Sequence, residues 1–340
     1  MIAFYNKIKN NLNYIIIAAV LIFFTVMSLT GNIGRSDTVL LEKVAIAIIL
    51  ATSLGMVVGF LGELSLGHAG FMCIGAYLGG KISSLLEPTL GNSFATLFIA
   101  VIVGGLAAAV FGMIIGLPAL RLRGDYLAIV TLAFGEIVRT VVMNLPEGLF
   151  GGTLGLKTPR FNNKYLFIVA FVLVLLCLAT IQNLLRSKHG RAISSIRDNE
   201  IAARSMGIDV TKYKLVVFTI SSFFAGIGGV LYSYTQSRVQ SASFDYNYSI
   251  EILVMVVLGG LGSINGSIIA ATLITFLNVK LQTLLTGDLA VLQNLFYAVI
   301  LILIVIYNNA PALKPFREKY NLKNLVAAKK KDKNDEKEVK

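Results

Sequence analysis

The sequence predicts an all-α membrane protein: a polytopic helical bundle of about ten transmembrane segments, half-helices possible among them, with both termini cytoplasmic. Three observations lead there. Of 340 residues 56% are hydrophobic and only 14% charged, and the mean hydropathy is +0.77, far from the composition of water-soluble domains. The apolar residues fall in successive runs near the roughly 20 residues that a helix needs to cross about 30 Å of hydrocarbon. One long polar stretch, residues 186–214, interrupts them.

Taken in order, the first crossing is expected at residues 12–30, preceded by Lys7 and Lys9, which puts the N-terminus inside. Residues 38–60 return, with Glu42 and Lys43 near the outer end, where they must reach the interface or face protein. Residues 64–86, 93–120 and 127–144 follow, with Arg121 and Arg123 at the inner surface between the last two. A Gly- and Pro-containing outer loop, 145–164, is suited to contact something in the exterior space. Residues 164–184 lead down to the polar stretch and 213–234 lead out again, to a polar turn over 238–248. An odd number of crossings must then reach a basic tail: 250–262, 263–285 and 289–307. The first of these is short, so a half-helix or re-entrant segment fits it equally well. A membrane-spanning domain thus occupies residues 1–313, and the charged, low-complexity residues 314–340 are expected to be a disordered cytoplasmic tail. Most of the 30 lysines and arginines fall on positions assigned to the inside.

The polar stretch holds Arg186, Lys188, Arg191, Arg197, Arg204, Lys212 and Lys214 against Asp198, Glu200 and Asp209, a surplus that keeps it cytoplasmic. It also carries helix punctuation. Asp198 or Asn199 suits an N-cap, Glu200 stands in the first turn where the dipole favours an anion, and Gly207 suits the left-handed position after the last turn. Ile201, Ala202, Ala203 and Met206 between them form a small apolar face with nothing bulky on it. Such a helix is a docking knob for another subunit; the alternative is a solvated connector whose charges only set topology.

Thirty-one glycines have two uses in such a chain. Gly104, Ala108 and Gly112, spaced by four, let helices approach closely. Residues 59–71, GFLGELSLGHAGF, instead mix glycines with Glu63, Ser65, Gly67 and His68. Residues 258–267, LGGLGSINGS, repeat the style around Gly260 and Gly262. Such segments are where transporter helices break and turn backbone toward a path; interfacial turns are the alternative. Glu136 and Arg139, three apart on one helix face, form a structural ion pair or contact solute.

The charge of +12 sits at membrane flanks and in the tail, so it signals topology, not nucleic-acid binding. Cys73 and Cys177 lie in apolar runs and read as buried hydrophobes, and His68 and His189 are too far apart for a metal site. Residues 75–81 have the Gly-x4-Gly-Lys spacing of a phosphate loop, but Ile82 follows and the context is an apolar span. No catalytic, metal or cofactor site is expected, and the chain should not itself hydrolyse ATP.

Four segments in order, GFLGELSLGHAGFMCIGAY, LPALRLRGDYLAIVTLAFGEIVR, GRAISSIRDNEIAARSMGIDVTKYKLVVFTISSFFAGIGGVLY and VVLGGLGSINGS, resemble the M-type permease subunit of bacterial ATP-binding-cassette importers for branched-chain amino acids. The similarity runs from about Gly59 to Thr272. It implies a second, homologous permease, two cytoplasmic ATPase subunits, an extracytoplasmic solute-binding protein, and surrounding membrane lipid. It also implies an ATPase-coupling loop at Arg197, Asp198, Glu200, Ala202, Ala203 and Gly207, similar to the family's Glu-Ala-Ala-x3-Gly pattern with one extra residue after the Glu. Ser267 stands where the family often has Pro, and Gly151-Gly152-Thr153 replaces a frequent Thr-Gly-Gly. Urea, nucleoside and sugar permeases look similar. An ion-coupled transporter working through Glu63, Glu136 and Arg139, or a membrane scaffold, are the competing readings.

Overall fold

A computed structural model describes residues 34–122, 124–159, 165–236 and 238–284, with isolated positions 17, 20, 22–25, 27, 295, 298, 299, 302, 303 and 306. The crossings expected at 12–30 and 289–307 fall mostly outside the described residues, and the tail over 314–340 falls outside them entirely. Backbone contacts divide the chain into two units, Met1–Val279 and Lys280–Lys340, and the helices below belong to the first as far as Val279.

The order is α1 (Arg35–Gly55) running into a π-helix (Met56–Leu61), α2 (His68–Leu90), α3 (Phe94–Ala119), α4 (Asp125–Asn144), α5 (Leu166–Arg186), α6 (Lys188–Asp198), α7 (Glu200–Ser205), α8 (Val210–Thr235), α9 (Tyr246–Gly259) and α10 (Ile264–Leu284). Among the described residues, seven of these helices are long and apolar enough to cross a membrane: α1 with its π-helix, α2, α3, α4, α5, α8 and α10. The α-helical, multi-pass bundle is as expected. At 14 residues, about 21 Å, α9 is shorter than a straight span of about 30 Å, in keeping with the short run read at 250–262. Residues 62–67 are not helical, so the crossing expected at 64–86 begins only at His68.

Helix α8 is the axis of the bundle and packs on α1, α2 and α3. Glycine makes this possible. A Cβ at Gly75 of α2 would lie 2.1 Å from the carbonyl oxygen of Gly226 on α8, and one at Gly104 of α3 would lie 2.9 Å from the Gly75 carbonyl oxygen. Backbones therefore touch where three helices meet, gaining dispersion and weak polar contacts that lipid cannot supply. Gly104, Ala108 and Gly112 all lie on the α3 face that meets α8, whereas Phe98, Leu106, Val110 and Ile114 of α3 point outward. Gly75 and Gly80 sit inside an unbroken helix, so the phosphate-loop spacing forms no loop.

At the end of the bundle away from the polar stretch, β1 (Leu156–Lys157) pairs antiparallel with β2 (Arg238–Val239). This ribbon ties the 145–159 loop to the segment preceding α9. Tyr77 Oη donates to the Val239 carbonyl at 3.1 Å and Thr158 Oγ1 to that of Ser233 at 2.8 Å, anchoring both to α2 and α8.

Candidate coupling site and membrane-embedded polar groups

The polar stretch folds into two short helices. Ser187 caps α6, its Oγ accepting from the His189 N–H at 3.1 Å, and Asn199 caps α7, its Oδ1 accepting from the Ala202 N–H at 3.0 Å. Of the two expected caps, Asn199 is the one used; the Oδ1 of Asp198 accepts instead from Nε and Nη2 of Arg197 at 3.0 and 2.9 Å. Gly207 has φ +80, and the Ile208 N–H donates back to the Ala203 carbonyl at 3.1 Å, closing the helix. The outward face differs from expectation. Ala203 turns inward and is buried, while Ile201 and Met206 are 72% and 83% exposed, so the knob presents two large apolar side chains beside Ala202.

Behind the knob lies a buried junction. Lys214, near the start of α8 and with its side chain 3% exposed, donates from Nζ to Glu63 Oε1 and, at 3.2 Å, to Glu200 Oε2. Glu200 also accepts from Arg204 Nη2 at 3.0 Å. Arg197 Nη1 donates to the Gly59 carbonyl at 3.3 Å. Gly59 lies in the π-helix, whose altered hydrogen-bond register frees backbone groups. Glycine is needed here because neighbours crowd the backbone. A Cβ at Gly62, φ +83, would meet Arg197 Cγ at 2.8 Å, and one at Gly59 would meet the Gly262 N–H nitrogen at 2.4 Å. Gly260 and Gly262, φ +91 and +79, form the turn between α9 and α10. Both glycine-rich segments of the sequence thus converge on α6, α7 and the foot of α8.

Beyond the break, the polar groups turn into the subunit. His68 Nε2 is 2.9 Å from Ser53 Oγ, and Ser53 donates to the Leu50 carbonyl at 3.0 Å, so the imidazole donates from Nε2. Ser221 Oγ donates to the Ser53 carbonyl at 2.7 Å, and the Ala69 N–H donates to Ser249 Oγ of α9 at 3.1 Å. Gly67 admits α4, since a Cβ there would lie 2.8 Å from the Thr131 carbonyl oxygen. Ser65 and His68 are buried, and Ser65 Oγ has no hydrogen-bond partner among the described residues. Glu136 and Arg139 stand apart from this cluster, paired through Nε and Oε2 at 2.8 Å, with about a quarter of each side chain exposed. Glu136 Oε1 accepts from the Tyr246 N–H at 3.0 Å, at the start of α9.

Residues 38–307 match the family described as branched-chain amino acid transport system / permease component. The chain belongs to that permease family. Its relatives include the high-affinity branched-chain amino acid transport system permease protein LivM of Escherichia coli, 36% identical over 326 residues, covering 87% of this chain and 74% of that protein. The protein of the same name from Salmonella typhimurium is 36% identical over 273 residues, 71% of this chain and 63% of that one. The ribose import permease protein RbsC of Escherichia coli is 30% identical over 145 residues, 41% of this chain and 44% of that protein. No solved structure matches. The sequence does not single out Lys214, which reads there as one more topological charge. Its signal is faint but present, a lysine inside the start of an apolar helix, where an unpaired ammonium is costly.

Proposed function

We propose that this permease is the membrane subunit of an ATP-binding-cassette importer that carries branched-chain amino acids into a bacterial cell across its cytoplasmic membrane. In this reading two ATPase subunits hydrolyse ATP on the cytoplasmic side, a second permease completes the channel, and an extracytoplasmic binding protein delivers solute. The chain crosses about ten times with both termini inside, within a permease domain over 1–313, and the 186–214 stretch is cytoplasmic.

The observation that carries the proposal is the pairing of an exposed apolar knob with a buried ionic junction. Ile201 and Met206 offer a grip on a helix capped by Asn199 at its start and closed at Gly207. Asp198 and Gly207 shape it, and Arg197, Glu200 and Lys214 tie it to the helix break at Gly59–Glu63. Displacement of α7 by the ATPases therefore pulls on the segment that holds Ser65, Gly67 and His68 and on the Gly260–Gly262 turn behind it. Alternating access requires such a mechanical link between the motor side and the path. An ion-driven transporter needs no such knob.

Co-purification of the permease with nucleotide-binding subunits, followed by ATP-dependent leucine uptake in proteoliposomes containing the binding protein, tests this. Uptake driven by an ion gradient without ATPase subunits would overturn it. A sugar as solute is a second reading, favoured by the similarity to the ribose permease; competition of leucine uptake by ribose separates the two.

A further inference from the structure

The ion pair on α4 is built in a way that a purely structural pair would not need. Arginine and carboxylate usually close on each other fork to fork, with two parallel bonds. Here Glu136 gives one oxygen to Arg139 Nε and turns the other to the Tyr246 N–H. The terminal nitrogens of Arg139 have no acceptor among the described residues. Arg139 lies 14 residues past the start of α4, about 21 Å along a helix of about 30 Å, well inside the membrane on the orientation proposed above. Charged side chains at such depth as a rule face the protein interior or a water-filled path instead of lipid. The surroundings of Arg139 are of mixed sign: Asp245 caps the same end of α9, accepting from the Tyr248 N–H at 3.0 Å and from Asn247 Nδ2 at 2.7 Å. Glu136, which holds Arg139, and Asp245 thus both bond to the first turn of α9, one through the Tyr246 N–H and the other through the Tyr248 N–H.

We propose that Arg139, with Glu136 and Asp245, receives the zwitterionic head group of an α-amino acid in transit. The solute carboxylate takes the terminal nitrogens of Arg139 and its ammonium faces the two carboxylates. Glu136 positions the guanidinium by holding Nε, and α9 positions Glu136 through the Tyr246 N–H. A neutral sugar or urea has no charge to place on either half, so the site selects zwitterions. This rests on the importer reading and names the chemistry of its path.

The test measures thermal unfolding of the permease–ATPase complex, without binding protein, against L-leucine, isoamylamine, which lacks the carboxylate, and isocaproate, which lacks the ammonium. Leucine should stabilise the wild type, with neither analogue matching it. Arg139→Lys, which keeps the charge but not the fork, should weaken the leucine response roughly ten- to hundredfold, the loss expected for a charge-assisted bidentate bond. The double variant Glu136→Gln with Arg139→Gln removes both charges yet keeps an acceptor for Tyr246; it should lose the response while unfolding near the wild-type temperature without ligand. Equal stabilisation of either variant, equal stabilisation by isoamylamine, or no leucine response in a wild-type complex that takes up leucine would overturn the proposal. Failure of the complete wild-type transporter to take up leucine would instead sink the importer reading, and this inference with it.

Discussion

Lys214→Met removes the cation at the centre of the buried junction and leaves Glu63 and Glu200 facing each other. Glu63 and Glu200 side chains are only 11% and 19% exposed, so neither can recover full hydration. Breaking a buried pair by removing one partner costs about 3–5 kcal/mol. Glu200 keeps its bond to Arg204, so the low end, about 3 kcal/mol, is expected in unfolding experiments on the solubilised complex. Lys214→Met with Glu63→Met replaces the closest pair by apolar groups and should regain most of that stability. Transport is expected to behave differently. The knob and its caps are untouched in both variants, so ATPase subunits should still co-purify and hydrolyse ATP. The tie between α7 and the break is severed in both, so leucine taken up per ATP hydrolysed should fall about tenfold or more, an amount set by a coupling free energy of 1–3 kcal/mol. If the double variant regains both stability and coupling, the junction is a structural filler and the transmission argument is wrong.

Three further outcomes follow from the same geometry. Ile201→Asp or Met206→Asp, at side chains that touch little of the permease itself, should abolish co-purification of ATPase subunits with less than about 0.5 kcal/mol change in stability; unchanged co-purification would show that the partner binds elsewhere. At Gly207 a Cβ would meet no atom within 4 Å, so Gly207→Val costs at least the left-handed backbone, about 1–2 kcal/mol; loss of uptake in a protein that still inserts, read by membrane fractionation, is expected. Gly75→Val forces α2 from α8 and should lower stability by about 3 kcal/mol or more, seen as loss of folded protein in detergent; normal yield would contradict the backbone contact with Gly226.

Much of the candidate site was legible one residue at a time. Asn199, Glu200 and Gly207 punctuate α7 because capping is local chemistry, readable from a few neighbours in sequence. The glycine segments around Gly59 and Gly262 announced breaks for the same reason. What could not be read was which way Ile201, Ala203 and Met206 point, since a single turn has no periodicity long enough to define a buried face. Ser53, the partner of His68, and Ser221, which donates to the Ser53 carbonyl, were equally silent: a serine in an apolar run looks alike whether it bonds its own helix or a neighbour.

By itself the sequence determined that this is a multi-pass helical membrane protein with one folded polar excursion, because bilayer thickness, charge asymmetry and capping act over short stretches of chain. Only the tertiary structure decided that Lys214 joins Glu63 to Glu200, that Gly59 meets Gly262, and that Glu136 reaches the start of α9. Each of those contacts joins residues from different helices, and electrostatic pairing at such distances along the chain depends on how helices pack, which no local pattern encodes.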